Sequence, residues 1–451
     1  MTDRCFVAVV ALFAVLLGLS AGAADKPNIV LIISDDHSFT DYGFMGHAVI
    51  QTPNLDKLAS QSALFRRGYV PTALCRPALM TLATGLYSHQ NLITGNDPAK
   101  TDANEKHVAA SGKSAKEILI SNIDTIDTLP RILAQDGYIS HQSGKWWEGS
   151  YQRGGFTHGM TRGYPKKGGR HGDDGLTIGR KGLAPITEFM DMAIKQDKPF
   201  FVWYAPFLPH TPHNPPKRLL DKYTQPGRTV PVAKYYAMVD WFDETCGQLL
   251  GELDKRGIAE NTLVIYVTDN GWIQRENSGG YQVRSKRSPY EGGTRTPVMF
   301  RWPGKIKPAD RPELCSSIDI FPTILSAGGV AVPEGRDGLD LLPILISGKE
   351  LARDTIFGES FAHDIADIKN PEASLLYRWV IQGNTKLLLT YDGRAGRMVY
   401  PPKDFGPQLF NLETDPHEKT NLAGQHPERV KELTALIEGW WKTKQAKHSG
   451  K

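Results

Sequence analysis

Two apolar runs that end in carboxylates constrain this chain more than any other feature. "KPNIVLIISDDHS" is unbroken from Ile29 to Ile33 and stops at Asp35-Asp36, and "ENTLVIYVTDNG" runs from Leu263 to Val267 and stops at Asp269-Asn270-Gly271. A continuous Ile/Val/Leu run, rather than an alternating one, is what a strand needs when both faces of its sheet are covered. A third run, Phe200 to Tyr204, ends near His210 in "PHTPH". Ahead of the second run, Val239, Phe242, Cys246, Leu249 and Leu253 recur at three- and four-residue steps, which predicts a helix over about 233–256 closed by Gly257. Helix then strand, repeated, implies a mostly parallel α/β sheet flanked by helices.

In such sheets ligands bind beyond the carboxyl ends of the strands. Asp35, Asp36, Asp269 and Asn270 all stand at such ends. If the two strands are neighbours, four oxygen-bearing side chains converge, and three carboxylates packed together repel unless a cation holds them. Hard oxygen donors select Ca²⁺ or Mg²⁺ over zinc. Each acidic pair taken singly is also an ordinary turn sequence.

"LCRPALMTLATG" predicts a short helix from Cys75 to about Ala83, with Pro77 in its first turn and Gly85 past its end. A cysteine at a helix N-terminus sits where free N–H groups favour an anion, so it is either an activated thiolate or a buried structural residue. The start of the chain carries Arg4, an apolar run from Cys5 to Leu19 and the small residues Ala21-Gly22-Ala23, the pattern of a cleaved secretory leader over 1–24. The expectation is an exported protein, periplasmic or secreted, with no membrane attachment after cleavage. Removing Cys5 leaves Cys75, Cys246 and Cys315, so that a bridge between Cys246 and Cys315 would leave Cys75 alone. A formal net charge of +4, with Lys and Arg spread along the chain, does not argue for nucleic acid and leaves room for a local anion pocket.

"CRPALMTLATG" resembles the signature of the type I sulfatases, in which the cysteine is oxidised to formylglycine. "TPNLDKLAS", "GKWW", "PHTPH", "VTDNG", "KRSPYEGGTRTP", "IDIFPTIL" and "LFNLETDPHEKTNLA" resemble further landmarks of that family in the same order. The resemblance implies an alkaline-phosphatase-like fold and hydrolysis of sulfate esters, on a sulfated small molecule or glycan. It implies Ca²⁺ held by Asp35, Asp36, Asp269 and Asn270 together with the residue at Cys75, and a formylglycine-generating enzyme as maturation partner. It also implies that Lys145, His210 and Lys286 hold the sulfate and serve the leaving oxygen. Two positions depart from the pattern: Leu79 stands where the signature has Arg, and Trp147 where the family has a proton-accepting His. Indole donates a hydrogen bond but cannot accept a proton. His37, His89 and His213 are candidate replacements, and His89 is the first choice because it follows the cysteine helix. A phosphoester or phosphonate hydrolase on the same scaffold, and a pseudo-enzyme that only binds sulfated glycans, are the alternative readings.

The expected organisation is a catalytic α/β domain over 25–348 and a small α+β domain over 349–451. The second would contain a hairpin in "YRWVIQGNTKLLLTYDG" and a closing helix in "PERVKELTALIEGWWKTK". Two long loops, 94–116 and 163–175, are expected at strand ends, where loops shape clefts.

Overall fold

The computed structural model describes residues 26–393 and 406–444; the expected leader lies outside these residues. Its centre is an eight-stranded sheet with the spatial order 309–311, 63–65, 298–301, 262–268, 28–34, 200–205, 139–144, 158–159. All neighbours are parallel except the two pairs made by Val298–Arg301. The acid-tipped strands Asn28–Ser34 and Thr262–Thr268 are central neighbours, buried along their whole length.

Burial on both faces explains the unbroken apolar runs. Ile29, Leu31 and Ile33 point into one core and Val30 and Ile32 into the other, because alternate side chains leave opposite faces of a strand. The helix Val230–Lys255 covers the second face, through Met238, Phe242, Cys246, Leu249 and Leu253. The helix Cys75–Thr84 lies buried in the first, stopped by Gly85 in a left-handed conformation (φ 65°). Cys246 and Cys315 therefore belong to cores on opposite faces of the sheet and are free thiols, so the bridge considered from the sequence does not form.

A four-stranded antiparallel sheet follows, in the order 355–361, 375–382, 385–390, 408–411. Its central hairpin turns at Gly383-Asn384, and the helix Pro427–Trp440 closes it with Leu433 and Ile437. The stretch 94–116 is not a plain loop. Thr101 caps a helix, Asp102–Ser111, by accepting from the Asn104 N–H, and a second helix covers Ala115–Ile120. Among the described residues no helix is long and apolar enough to cross a membrane.

Candidate active site

The register of the two acid-tipped strands builds the floor of the site. Ser34 pairs with Thr268 in parallel, so Asp35-Asp36 and Asp269-Asn270 leave the sheet side by side. The Asp269 N–H donates to Ser34 O at 2.9 Å, and the Asp36 N–H donates to Asp269 Oδ1 at 3.0 Å. Lys145 follows directly on the strand Ile139–Gly144, at the same end of the sheet. Its Nζ donates to Asp35 Oδ1 at 2.7 Å and stands 3.7 Å from Asp269 Oδ2. Lys286 donates to Asp36 Oδ1, which also accepts from Asn270 Nδ2 at 2.7 Å. His210 Nε2 lies 3.3 Å from Asp36 Oδ2. One ligand atom from each of Asp35, Asp36, Cys75 and His210 falls within 4.8 Å of the others.

Three buried carboxylates face two lysines, and the electrostatics follow from that count. Burial pushes the Asp35 carboxyl well up, against the pull of Lys145, and raises Asp269 as well. At Asp36 burial works the same way but is outweighed by Lys286, His210 and Lys145, which hold it well below the usual carboxylate range. Burial opposes the charge of Lys145 and Lys286 too, yet Asp35 and Asp36 respectively keep each ammonium protonated. Burial drives His210 well below its ordinary value, so its ring is neutral near pH 7. The Cys75 thiol is pushed up to about 11 by burial, despite Lys145 and Lys286. An unmodified Cys75 at this value is a protonated thiol at neutral pH and a weak nucleophile.

One oxygen of each expected ligand is left over. Asp35 Oδ2, Asp36 Oδ2, Asp269 Oδ2 and Asn270 Oδ1 are all buried without a hydrogen-bond partner. A buried acceptor without a partner is unfavourable by about 1–3 kcal/mol. Four in one cluster, on residues whose other oxygen or amide is engaged, fit a hard cation.

The structure thus gathers Cys75, Lys145, His210, Lys286 and the four oxygen-bearing residues, and it separates His89 from them. His89 Nδ1 is 2.7 Å from Glu359 Oε2, and its ring stacks on Trp441 at 4.2 Å. Cys75 opens its helix and His89 follows the far end, and ten helical residues span about 15 Å. His37 is engaged in the core, between Ser34 Oγ and the Asp41 carbonyl. Both ring nitrogens of His213 are buried without a partner; it packs near Tyr235 and Trp272, and burial lowers it to about 4. Leu79 is core. Arg76 turns away from the cavity to grip Glu148 in a bidentate pair at 2.7 and 2.6 Å.

Trp147 does line the cavity. His171 sits 5.2 Å from its ring, and Arg170 lies 4.5 Å over it. His171, Trp272, Arg287 and His363 also line this cavity and were not singled out from the sequence. His171 lies inside the Gly-rich stretch 163–175, so that loop does shape the cleft.

An α/β scaffold with buried carboxylates at the strand ends, a helix-opening cysteine and two buried lysines fits an alkaline-phosphatase-like hydrolase for an oxyanion ester. Comparison with known proteins makes the class specific. The sulfatase family matches residues 27–330, and the N-sulphoglucosamine sulphohydrolase C-terminal family matches residues 279–442. The chain is 32% identical to N-acetylgalactosamine-6-sulfatase of Canis lupus familiaris over 372 residues, covering 73% of this chain and 68% of that protein. It is 28% identical to human arylsulfatase A over 475 residues, covering 93% and 89%. A sulfatase structure from Pseudoalteromonas sp. shares the fold with a TM-score of 0.70 at 19% identity, covering 94% and 93%. The chain belongs to the sulfatase family, and its activity is sulfate ester hydrolysis.

Proposed function

We propose that the substrate is a sulfated carbohydrate, that Asp35, Asp36, Asp269 and Asn270 hold one Ca²⁺, and that Cys75 is matured to formylglycine by a formylglycine-generating enzyme. The observation that carries the reading is the set of four buried oxygens without a hydrogen-bond partner, two of them on the residues gathered with Cys75. Bound there, the cation would draw in the sulfate and lower the pKa of a hydroxyl beside it. Formylglycine would supply that hydroxyl as a hydrated aldehyde, where the thiol of Cys75 is a weak nucleophile.

The reaction consumes water and releases an alcohol and inorganic sulfate. Lys145 and Lys286, protonated and buried, fix non-bridging sulfate oxygens and offset the charge that develops as the S–O bond breaks. His210 gives its Nδ1–H to the Thr211 carbonyl and turns Nε2 toward Asp36, so a proton taken up at Nε2 on substrate binding would serve the bridging oxygen, which gains charge as the alcohol leaves. Trp147 excludes water from one side. His171, which lines the cavity beside Trp147, is the proton acceptor on this reading, in the place expected for His89; burial holds its free ring down, and the incoming charge of the substrate is what would raise its basicity. The leader pattern supports export, and the amino-terminal sequence of the mature protein checks it.

Peptide mass spectrometry of residue 75, on protein from the native host, joined to sulfate release from sulfated saccharides, tests the reading. Formylglycine and saccharide sulfate release are expected. An alkylatable thiol in active enzyme, or faster phosphate than sulfate release, would overturn it.

A further inference from the structure

Lys286 is followed by a second cation, and the two are treated differently by the fold. Lys286 is buried and already bonded to Asp36. Arg287 lines the same cavity, is half-buried, and makes no side-chain hydrogen bond or ion pair among the described residues. Arg170, the other guanidinium on this cavity, is taken by Asp97 and covered by Trp147.

The backbone invests in placing Arg287. It has φ 69°, a left-handed conformation uncommon for an arginine, and its N–H donates to Ala73 O at 2.8 Å, two residues before Cys75. Strained conformations of this kind cluster at functional sites. The neighbouring imidazole does not neutralise the guanidinium. His363 is held to about 4 by burial and by the charge of Arg287, with its ring nitrogens facing Asp364 and Asn96. A guanidinium presents a planar fork of donors that matches a carboxylate or sulfate. A partly desolvated one with no partner among the described residues is a site for an anion.

The cavity measures about 210 Å³. That is less than the roughly 300–1,000 Å³ of drug-sized ligand sites. It encloses one substituent and its attachment point, and the rest of a substrate lies across the opening. Lys145 and Lys286 are 1% and 6% exposed, so they stand deep, and half-buried Arg287 stands nearer solvent.

We infer that Arg287 forms a second anion subsite, so that the preferred substrate carries a further anionic group, a second sulfate or a uronate carboxylate, beside the sulfate that is cleaved. The inference rests on the sulfated-carbohydrate reading above and narrows it.

The test measures both binding and sulfate release, with wild type, Arg287→Ala and Arg287→Lys. The probes are a hexosamine with one sulfate, the same sugar with two, and a sulfated disaccharide containing a uronic acid. Wild type should bind one doubly anionic probe more tightly than the singly sulfated sugar, and which one separates sulfate from carboxylate. Arg287→Ala should weaken that probe by about 10- to 100-fold, so that discrimination collapses, and Arg287→Lys should recover only part of it. Unchanged discrimination in Arg287→Ala would overturn the subsite, as would an equal loss for all probes, which would place Arg287 on the cleaved sulfate. Binding that depends on Arg287 without any sulfate release would keep the subsite and refute the reading that these saccharides are the substrate.

Discussion

Two groups of buried charge flank Cys75, and they are built on opposite plans. Arg76, the next residue, pairs with Glu148 through two parallel hydrogen bonds and gives its remaining nitrogen to the Asn96 carbonyl at 3.1 Å. Donors and acceptors are matched, and the pair is complete without any ligand. On the other side, Asp35, Asp36 and Asp269 face Lys145, Lys286 and the neutral ring of His210, and four oxygens lack a hydrogen-bond partner. The first group fixes the Cys75 helix to the segment carrying Trp147. The second is incomplete by itself, and on the function proposed above a cation that takes oxygen ligands completes it. Burial of charge is common to both, so incompleteness is what marks the working site.

Removing a carboxylate from the incomplete group should break function without breaking the fold. Asp269→Ala is expected to lower sulfate release at least ~10³-fold, since a bound cation supplies several kcal/mol of charge stabilisation. Circular dichroism should show a folded protein, because one of three mutually repelling carboxylates has been removed. Breaking the complete group should do the reverse. Glu148→Ala strands a fully buried guanidinium and should destabilise the chain by about 3–5 kcal/mol in a denaturant titration.

The histidines sharpen the same contrast. His171→Ala should lower kcat by roughly 10²-fold with little change in melting temperature, the effect of losing a positioned base. His89→Ala should leave kcat within a few-fold and cost about 1–3 kcal/mol of stability, because Glu359 is buried and loses a partner. A large kcat loss in His89→Ala, read at a temperature where the variant is folded, would contradict its placement.

The carboxylates and Cys75 were legible because each is attached to a regular element whose pattern betrays it: a strand run that stops at acids, and a short helix bounded by Pro77 and Gly85. The adjacency of the two strands was not legible, since pairing between residues 34 and 268 is a tertiary choice that local sequence does not encode. The reading of His89 failed on distance, as nearness in sequence hid the length of the helix between it and Cys75. His171 and Arg287 escaped notice because they sit in aperiodic stretches. Their positions depend on long-range anchors, such as the Arg287 N–H on Ala73 and the Trp146 N–H on the His171 carbonyl at 3.2 Å.

The claim that the second group is completed by a cation is tested most directly by calorimetric titration of Ca²⁺ into metal-stripped wild type and Asp269→Ala. One equivalent should bind to wild type. At 100 times its dissociation constant it should raise unfolding stability by about 2.7 kcal/mol, and both effects should vanish in the variant. Equal binding to both proteins, no binding to either, or a preference for zinc over Ca²⁺ would contradict it.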